Sequence, residues 1–283
     1  MSLSEVKEIN RVAKSKNKKI RIGVRLNPNT DAKTLRQIST GKKENKFGVN
    51  KNTFYEIINY SKNSKNIDLK CLSVHIGSQI LDHKPYEKML KAVSQILRKT
   101  DHKFEYIDLG GGMGITYHEK NKKLNYKKYN SYILRFLRTH KVKIIFEPGR
   151  SIIGDTGTLV TKIIYIKDSE RKKFIILDAA MNDLMRPALY GAFHRTLPVK
   201  KSNKKSKKPY EFVGPICEST DKFITLKKFQ QLKEKDLIAI CDVGAYGMSL
   251  SSNYNLRPKP VELLIHGSKI KVIKKRQKHK DLV

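Results

Sequence analysis

The chain has 283 residues, with 60 Lys and Arg against 26 Asp and Glu and a formal charge of +34. That length holds one large domain or two smaller ones with an ample core, and no run of eighteen apolar residues is present to cross a bilayer. A polar start without the apolar middle of a secretory signal, together with three cysteines that form no close pair, argues against a disulfide scaffold and for a cytoplasmic protein.

The charge alone would suit nucleic acid, but its densest runs, 200–208 and 274–280, read as a loop and a terminus. No zinc-finger spacing or RNP motif accompanies them. A lysine-heavy solvated surface is therefore expected, with no specific nucleic-acid partner and no metal.

In chain order, Val6, Ile9, Val12 and Ala13 recur at helical spacing, and 19–26 reads as a strand ending at Asn27-Pro28. Residues 41–48 form a loop, 53–60 a helix and 69–76 a second strand, stopped by Gly77-Ser78. Pro85 opens a helix whose Tyr86, Met89, Leu90, Val93, Ile96 and Leu97 share a face. A third strand, 104–109, ends at Gly110-Gly111-Gly112. A helix marked by Tyr129, Tyr132, Ile133, Phe136 and Leu137 leads to a fourth strand, 142–146, which breaks into Glu147-Pro-Gly-Arg150.

Strand–helix repetition predicts a parallel sheet with helical crossovers. Every strand ends in a polar or glycine-rich turn, and barrels of this type place their active site at those ends. A closed eight-stranded barrel takes about 250 residues, whereas four strands are counted before Arg150. Beyond it, strands are predicted at 158–166, 174–177, 223–226, 237–241, 261–265 and 269–273, an antiparallel β domain. The expected division is 1–155, a partial (β/α) barrel, and 156–283, the β domain.

Several residues stand out chemically. Gly110, Gly111 and Gly112 offer bare amides before a helix, either a phosphate cradle or a structural turn. His75 at a strand end would stack on a flat ligand or be a satisfied core histidine. Glu147 and Arg150 would pair with each other, or Arg150 would hold an anion. Arg186 and Tyr190, four apart, would share one side of a single helical turn, with a surface salt bridge the plainer reading of Arg186. Gly214-Pro-Ile-Cys-Glu-Ser219 sets a thiol beside a carboxylate. Cys71 and Cys241 lie in apolar runs, which leaves Cys217 as the reactive candidate. Asp242-Val-Gly-Ala-Tyr-Gly247 ends another strand.

Together and in this order, Glu147-Pro-Gly-Arg150, Met185-Arg-Pro-Ala-Leu-Tyr190, Gly214-Pro-Ile-Cys-Glu-Ser219 and Asp242-Val-Gly-Ala-Tyr-Gly-Met-Ser249 resemble the diaminopimelate decarboxylases. These are pyridoxal-phosphate enzymes of the alanine-racemase-like fold. The likeness runs over essentially the whole chain. It implies an α/β fold, the C-terminal half of a (β/α)8 barrel followed by a β domain, that decarboxylates meso-2,6-diaminopimelate to L-lysine with pyridoxal 5'-phosphate. The resemblance gives Glu147 to the pyridine nitrogen and His75 to the ring face, helped by Ser78. It gives Gly110, Gly111, Gly112, Gly149, Arg150 and Tyr246 to the phosphate. The substrate's distal carboxylate falls to Arg150, Arg186 and Tyr190 with Tyr246 nearby, the distal ammonium to Glu218, and the proton returned to Cα to Cys217. In the family, Cys217 and Glu218 would serve the other subunit's site, which implies a homodimer.

The family's cofactor lysine lies in a Tyr-Ala-x-Lys-Ala-Asn-like motif on the first barrel strand, and no such motif stands in these 283 residues. The resemblance thus implies a decarboxylase read without its Schiff-base lysine, with the N-terminal portion encoded separately, or else a non-catalytic remnant. A racemase of this fold would set an arginine against the pyridine nitrogen; Glu147 and the Cys217-Glu218 pair point away from that.

Overall fold

Four strand–helix repeats build the first of two units. The computed structural model describes residues 2–282 apart from 33, 35–37, 43 and 119. Residues 1–116 and 122–152 form one unit, and 117–121 with 153–283 the other.

In the first unit, α1 (Leu3–Ser15) starts at Ser2, whose hydroxyl accepts the Glu5 amide. Asn50 caps α2 (Lys51–Lys62) and Asn125 caps α4 (Tyr126–Thr139) in the same way. Such caps satisfy amides that a first helical turn leaves without intrahelical partners. Helix α3 (Lys84–Lys99) carries Pro85 in its first turn and buries Tyr86, Met89, Leu90, Val93 and Ile96 on one face. Those side chains join Leu72, Val74, Ile107 and Leu109 in one core. Each contributes roughly 1.5–3 kcal/mol by leaving water, so the apolar stripe, more than intrinsic propensity, holds the helix.

The strands β1 (Ile20–Arg25), β2 (Ile67–Ser73), β3 (Tyr106–Asp108) and β4 (Lys143–Ile145) are parallel, in spatial order β1-β2-β3-β4. β2 stops at Ser73, short of the strand expected through residue 76. Beyond it the His75 carbonyl accepts from Arg25 Nη2 and Thr40 Oγ1, and Gly77 bridges to Ser39. All four C-terminal ends thus emerge at one edge of the sheet.

The second unit contains a six-stranded sheet in the order β7-β10-β5-β6-β8-β9. Its strands are β5 (Thr158–Asp168), β6 (Lys173–Leu177), β7 (Thr196–Pro198), β8 (Tyr210–Val213), β9 (Lys222–Leu226) and β10 (Leu237–Cys241). The pairing is antiparallel except between β6 and β8, where the intervening excursion through residues 178–209 returns the chain in the same direction. β7 and β8 escape the periodicity reading because one is three residues ending in Pro198 and the other four residues behind the lysine run. That run, 200–208, is a loop fastened by Gln230, which accepts from the Ser202 amide and donates to the Lys200 carbonyl. A hairpin of β11 (Glu262–His266) and β12 (Lys269–Lys274) forms a separate two-stranded sheet. No helix among the described residues is long and apolar enough to cross a membrane.

Candidate active site

The strand ends of the first unit converge on a hydrogen-bonded arrangement of loops. After β3, the Gly110 amide donates to Asp108 Oδ1 and the Gly110 carbonyl accepts from the Glu147 amide after β4. The Gly111 amide donates to His75 Nδ1 at 3.1 Å, and the Gly112 carbonyl accepts from Ile80. From beneath, the buried Tyr86 hydroxyl donates to the Gly111 carbonyl. Glycine is required here by contact: a Cβ on Gly111 would lie 2.1 Å from the Glu147 carbonyl oxygen, and one on Gly112 2.3 Å from that of Gly77. A Cβ on Gly149, by contrast, would meet nothing within 4 Å, so the chain opens outward where Glu147 and Gly149 stand exposed.

Arg150 begins a single helical turn, α5 (Arg150–Ile153), and is buried, with Nη2 donating to Ser78 Oγ at 3.2 Å. His75 and Ser78 after β2, the glycines after β3 and the Glu147–Arg150 segment after β4 are therefore assembled within one unit. Burial, with the nearby Arg25 guanidinium adding to it, lowers the His75 pKa to about 4, leaving a flat, neutral imidazole. Arg25 stands in one of the polar turns that end the strands, Arg25-Leu-Asn-Pro28, but the motifs of the resemblance give it no role. Its own pKa is lowered by burial, against the attraction of the Glu147 and Asp108 carboxylates.

In the second unit, Arg186 and Tyr190 lie on the single turn α6 (Arg186–Tyr190), with Pro187 near its start and Gly191 closing it at φ 60°. Arg186 is buried, so it is not the surface ion pair considered from sequence. Its Nη1 lies 2.8 Å from His194 Nε2, and its Cζ sits 4.7 Å from the Tyr117 ring centroid. Neither His194 nor Tyr117 is evident from sequence; the visible signal was only a histidine eight residues after an arginine in a polar stretch.

Cys217 and Glu218 are exposed in a turn fixed by Asp221. One Asp221 oxygen accepts the Met181 amide at 2.7 Å, the other the Ile216 amide at 2.8 Å. Burial raises the Asp221 pKa, and the two amides work against that. Glu218 lines an open cleft of about 440 Å³ with Met181, Met185, Ser252 and Tyr254, and a hydrogen bond to Glu218 raises the Tyr254 phenol. Cys71 is pushed up to about 11 by burial and Cys241 is raised for the same reason, so both remain thiols.

Tyr246 is exposed and holds φ at +60°, a conformation uncommon for a non-glycine residue. Its loop is docked tightly: Val243 donates to the Gly157 carbonyl and Gly244 to that of Gly154, while a Cβ on Gly244 would lie 1.8 Å from the Ile153 oxygen. Among the described residues, no group of three His, Cys, Asp or Glu is placed to hold a metal ion.

Residues 1–154 match the family described as pyridoxal-dependent decarboxylase, pyridoxal binding domain. The chain is 41% identical over 284 residues to the diaminopimelate decarboxylase of Helicobacter pylori, a match covering 99% of this chain and 70% of that protein. Against the diaminopimelate decarboxylase of Aquifex aeolicus the identity is 37% over 285 residues, covering 100% and 68%. The crystal structure of the H. pylori enzyme complexed with L-lysine matches with a TM-score of 0.94, covering 99% of this chain and 70% of that one. That of the M. jannaschii enzyme in co-complex with L-lysine matches at 33% identity and a TM-score of 0.90, covering 99% and 67%.

The chain belongs to the diaminopimelate decarboxylases, which are pyridoxal-phosphate-dependent carboxy-lyases, and it has their fold of barrel strands followed by a β domain. The residues present fit the cofactor: a neutral imidazole, a carboxylate at a strand end, a buried guanidinium beside a hydroxyl, and glycine backbone where side chains cannot enter.

Proposed function

We propose that this chain carries the machinery for decarboxylating meso-2,6-diaminopimelate to L-lysine with pyridoxal 5'-phosphate, in the cytoplasm and as a homodimer. The observation that carries the reading is the assembly of His75, Ser78, Glu147 and Arg150 at one sheet edge around Gly110–Gly112. The barrel unit, 1–155, would hold the cofactor, and the β domain, 156–283, would supply Arg186, Tyr190, Cys217, Glu218 and Tyr246.

Pyridoxal phosphate, when bound, disperses the negative charge left at Cα as carbon dioxide departs. Glu147 would keep a proton on the pyridine nitrogen. His75 would stack on the ring, and its neutrality would avoid adding a cation there. Ser78, the amides at Gly112, Gly149 and Arg150, and Tyr246 would hold the phosphate. By the family resemblance, Arg150, Arg186 and Tyr190 would hold the distal carboxylate, Glu218 the distal ammonium, and Cys217 would deliver a proton to Cα. A substrate without the distal carboxylate forgoes charge-assisted hydrogen bonds in a buried site, a difference that discriminates strongly.

Turnover also requires the lysine that links the cofactor in this family. Since its motif is not among these 283 residues, the lysine-bearing barrel segment must be provided, on the same polypeptide or on a second one. The four-stranded sheet supports this, because β1 and β4 are its outer strands and further barrel strands would pair there. The test is release of carbon dioxide and L-lysine from meso-diaminopimelate and pyridoxal phosphate, with and without the lysine-bearing segment. Turnover that appears only with the segment is expected. Its absence in both mixtures would sink the reading in favour of a non-catalytic chain.

A further inference from the structure

We propose that His194 is a positioning residue, which presents the Arg186 guanidinium to the substrate's distal carboxylate. The inference rests on the reading of Arg186 just given and adds the group that orients it.

The argument is one of donors and acceptors. His194 is 2% exposed, so its ring nitrogens must find partners inside the protein. Nδ1 lies 2.9 Å from the Cys241 carbonyl oxygen, which only accepts, so Nδ1 carries the hydrogen. Nε2 lies 2.8 Å from Arg186 Nη1, which only donates, so Nε2 offers its lone pair. Both contacts demand the same neutral tautomer, and β10 fixes it through the carbonyl of its last residue, Cys241.

Tyr117 completes the clamp. Its ring lies under the guanidinium with Cζ 4.7 Å from the centroid, and it meets the imidazole edge-on at 5.4 Å and 76°. One terminal nitrogen and one face of the cation thus have defined partners, which restrict the plane of its fork. A carboxylate binds an arginine best in that plane, through two parallel hydrogen bonds. The chain builds this locally: Gly191 closes α6 in the left-handed region and turns the chain so that His194 returns beside Arg186.

A merely satisfied core histidine would affect stability without regard to ligand. A positioning residue affects only ligands that carry the distal carboxylate. L-lysine retains that carboxylate and cadaverine lacks it, so the pair separates the two roles. The experiment measures calorimetric binding of both ligands to the pyridoxal-phosphate-loaded protein, the chain together with its lysine-bearing segment, for wild type, H194F and H194Q. It is combined with nitrogen-15 spectra of the histidine side chains.

The expected result is a loss of tenfold or more in L-lysine affinity for H194F, with cadaverine within threefold. H194Q, whose amide oxygen can occupy the Nε2 position, should stay within threefold for both. The spectra should show a protonated Nδ1 and an unprotonated Nε2. Equal losses for the two ligands, a glutamine variant as impaired as H194F, or the opposite tautomer would each overturn the proposal. Should H194F not fold, H194Q and the spectra decide. If wild type binds L-lysine no better than cadaverine, the carboxylate role of Arg186 fails instead, and the tautomer still reports whether His194 holds that arginine.

Discussion

His75 accepts the Gly111 amide through Nδ1 at 3.1 Å, so the glycine turn after β3 is fastened to the end of β2 by a nitrogen that works only while unprotonated. Its pKa of about 4 in the folded chain lies below the ordinary 6.5, so the unfolded chain binds the proton more readily. The resulting stability is fully present above pH 6.5 and is lost as pH falls through 4. Between pH 7 and pH 5 the loss amounts to about 2 kcal/mol. Denaturant unfolding at both pH values should show it in wild type and show less of it in H75Q; identical pH dependence would refute it.

Gly111 has no room for a methyl group, because its Cβ would press on the carbonyl oxygen of Glu147. We expect G111A to lose about 1–3 kcal/mol, the usual cost of overpacking. Pyridoxal phosphate binding should weaken with it, since the displaced backbone also carries the Glu147 carboxylate. A thermal melt paired with a cofactor titration checks both, and an unchanged melt would show that the loop yields without cost.

Asp221 ties the Cys217–Glu218 turn to Met181 and Ile216. D221A would strand two amides and should cost about 2–6 kcal/mol, at roughly 1–3 kcal/mol for each unsatisfied donor. D221N, which retains one acceptor oxygen, should lose about half as much. Chemical denaturation of the three proteins separates these outcomes, and equal stability for D221A and D221N would contradict the two-amide account.

Cys217 is exposed while Cys71 and Cys241 are raised by burial. With the lysine-bearing segment supplied, C217A should lower turnover by about 100-fold or more, the range for removing a general acid. The absorbance of bound pyridoxal phosphate should not change. Loss of cofactor binding in C217A would instead assign the thiol a structural role.

The repeating architecture was legible because long helices such as α3 advertise a full apolar stripe, and a glycine or proline follows each parallel strand within about four residues. The site residues were legible as motifs, since Glu147-Pro-Gly-Arg150 and Cys217-Glu218 stand at abrupt changes of pattern. What escaped was set by tertiary partners. The tautomer of His194 depends on a carbonyl 47 residues away, and Asp221 looks like any loop acid until Met181 and Ile216 fold onto it. β7 and β8 were too short for periodicity to register and exist because β10 and β6 receive them.

The outer strands of the parallel sheet have a colloidal consequence. Lys141 lies just before β4, whose Lys143 is paired with Glu105 at 3.2 Å, and Lys18 and Lys19 lead into β1, so like charges on separate copies oppose the edge-to-edge pairing that exposed strands invite. That opposition reaches about 8 Å at physiological ionic strength and only about 3 Å in 1 M salt. Where the lysine-bearing segment does not cover those edges, dilute buffer should therefore keep copies apart, and concentrated salt should remove the barrier and leave the backbone groups open to strands of other copies.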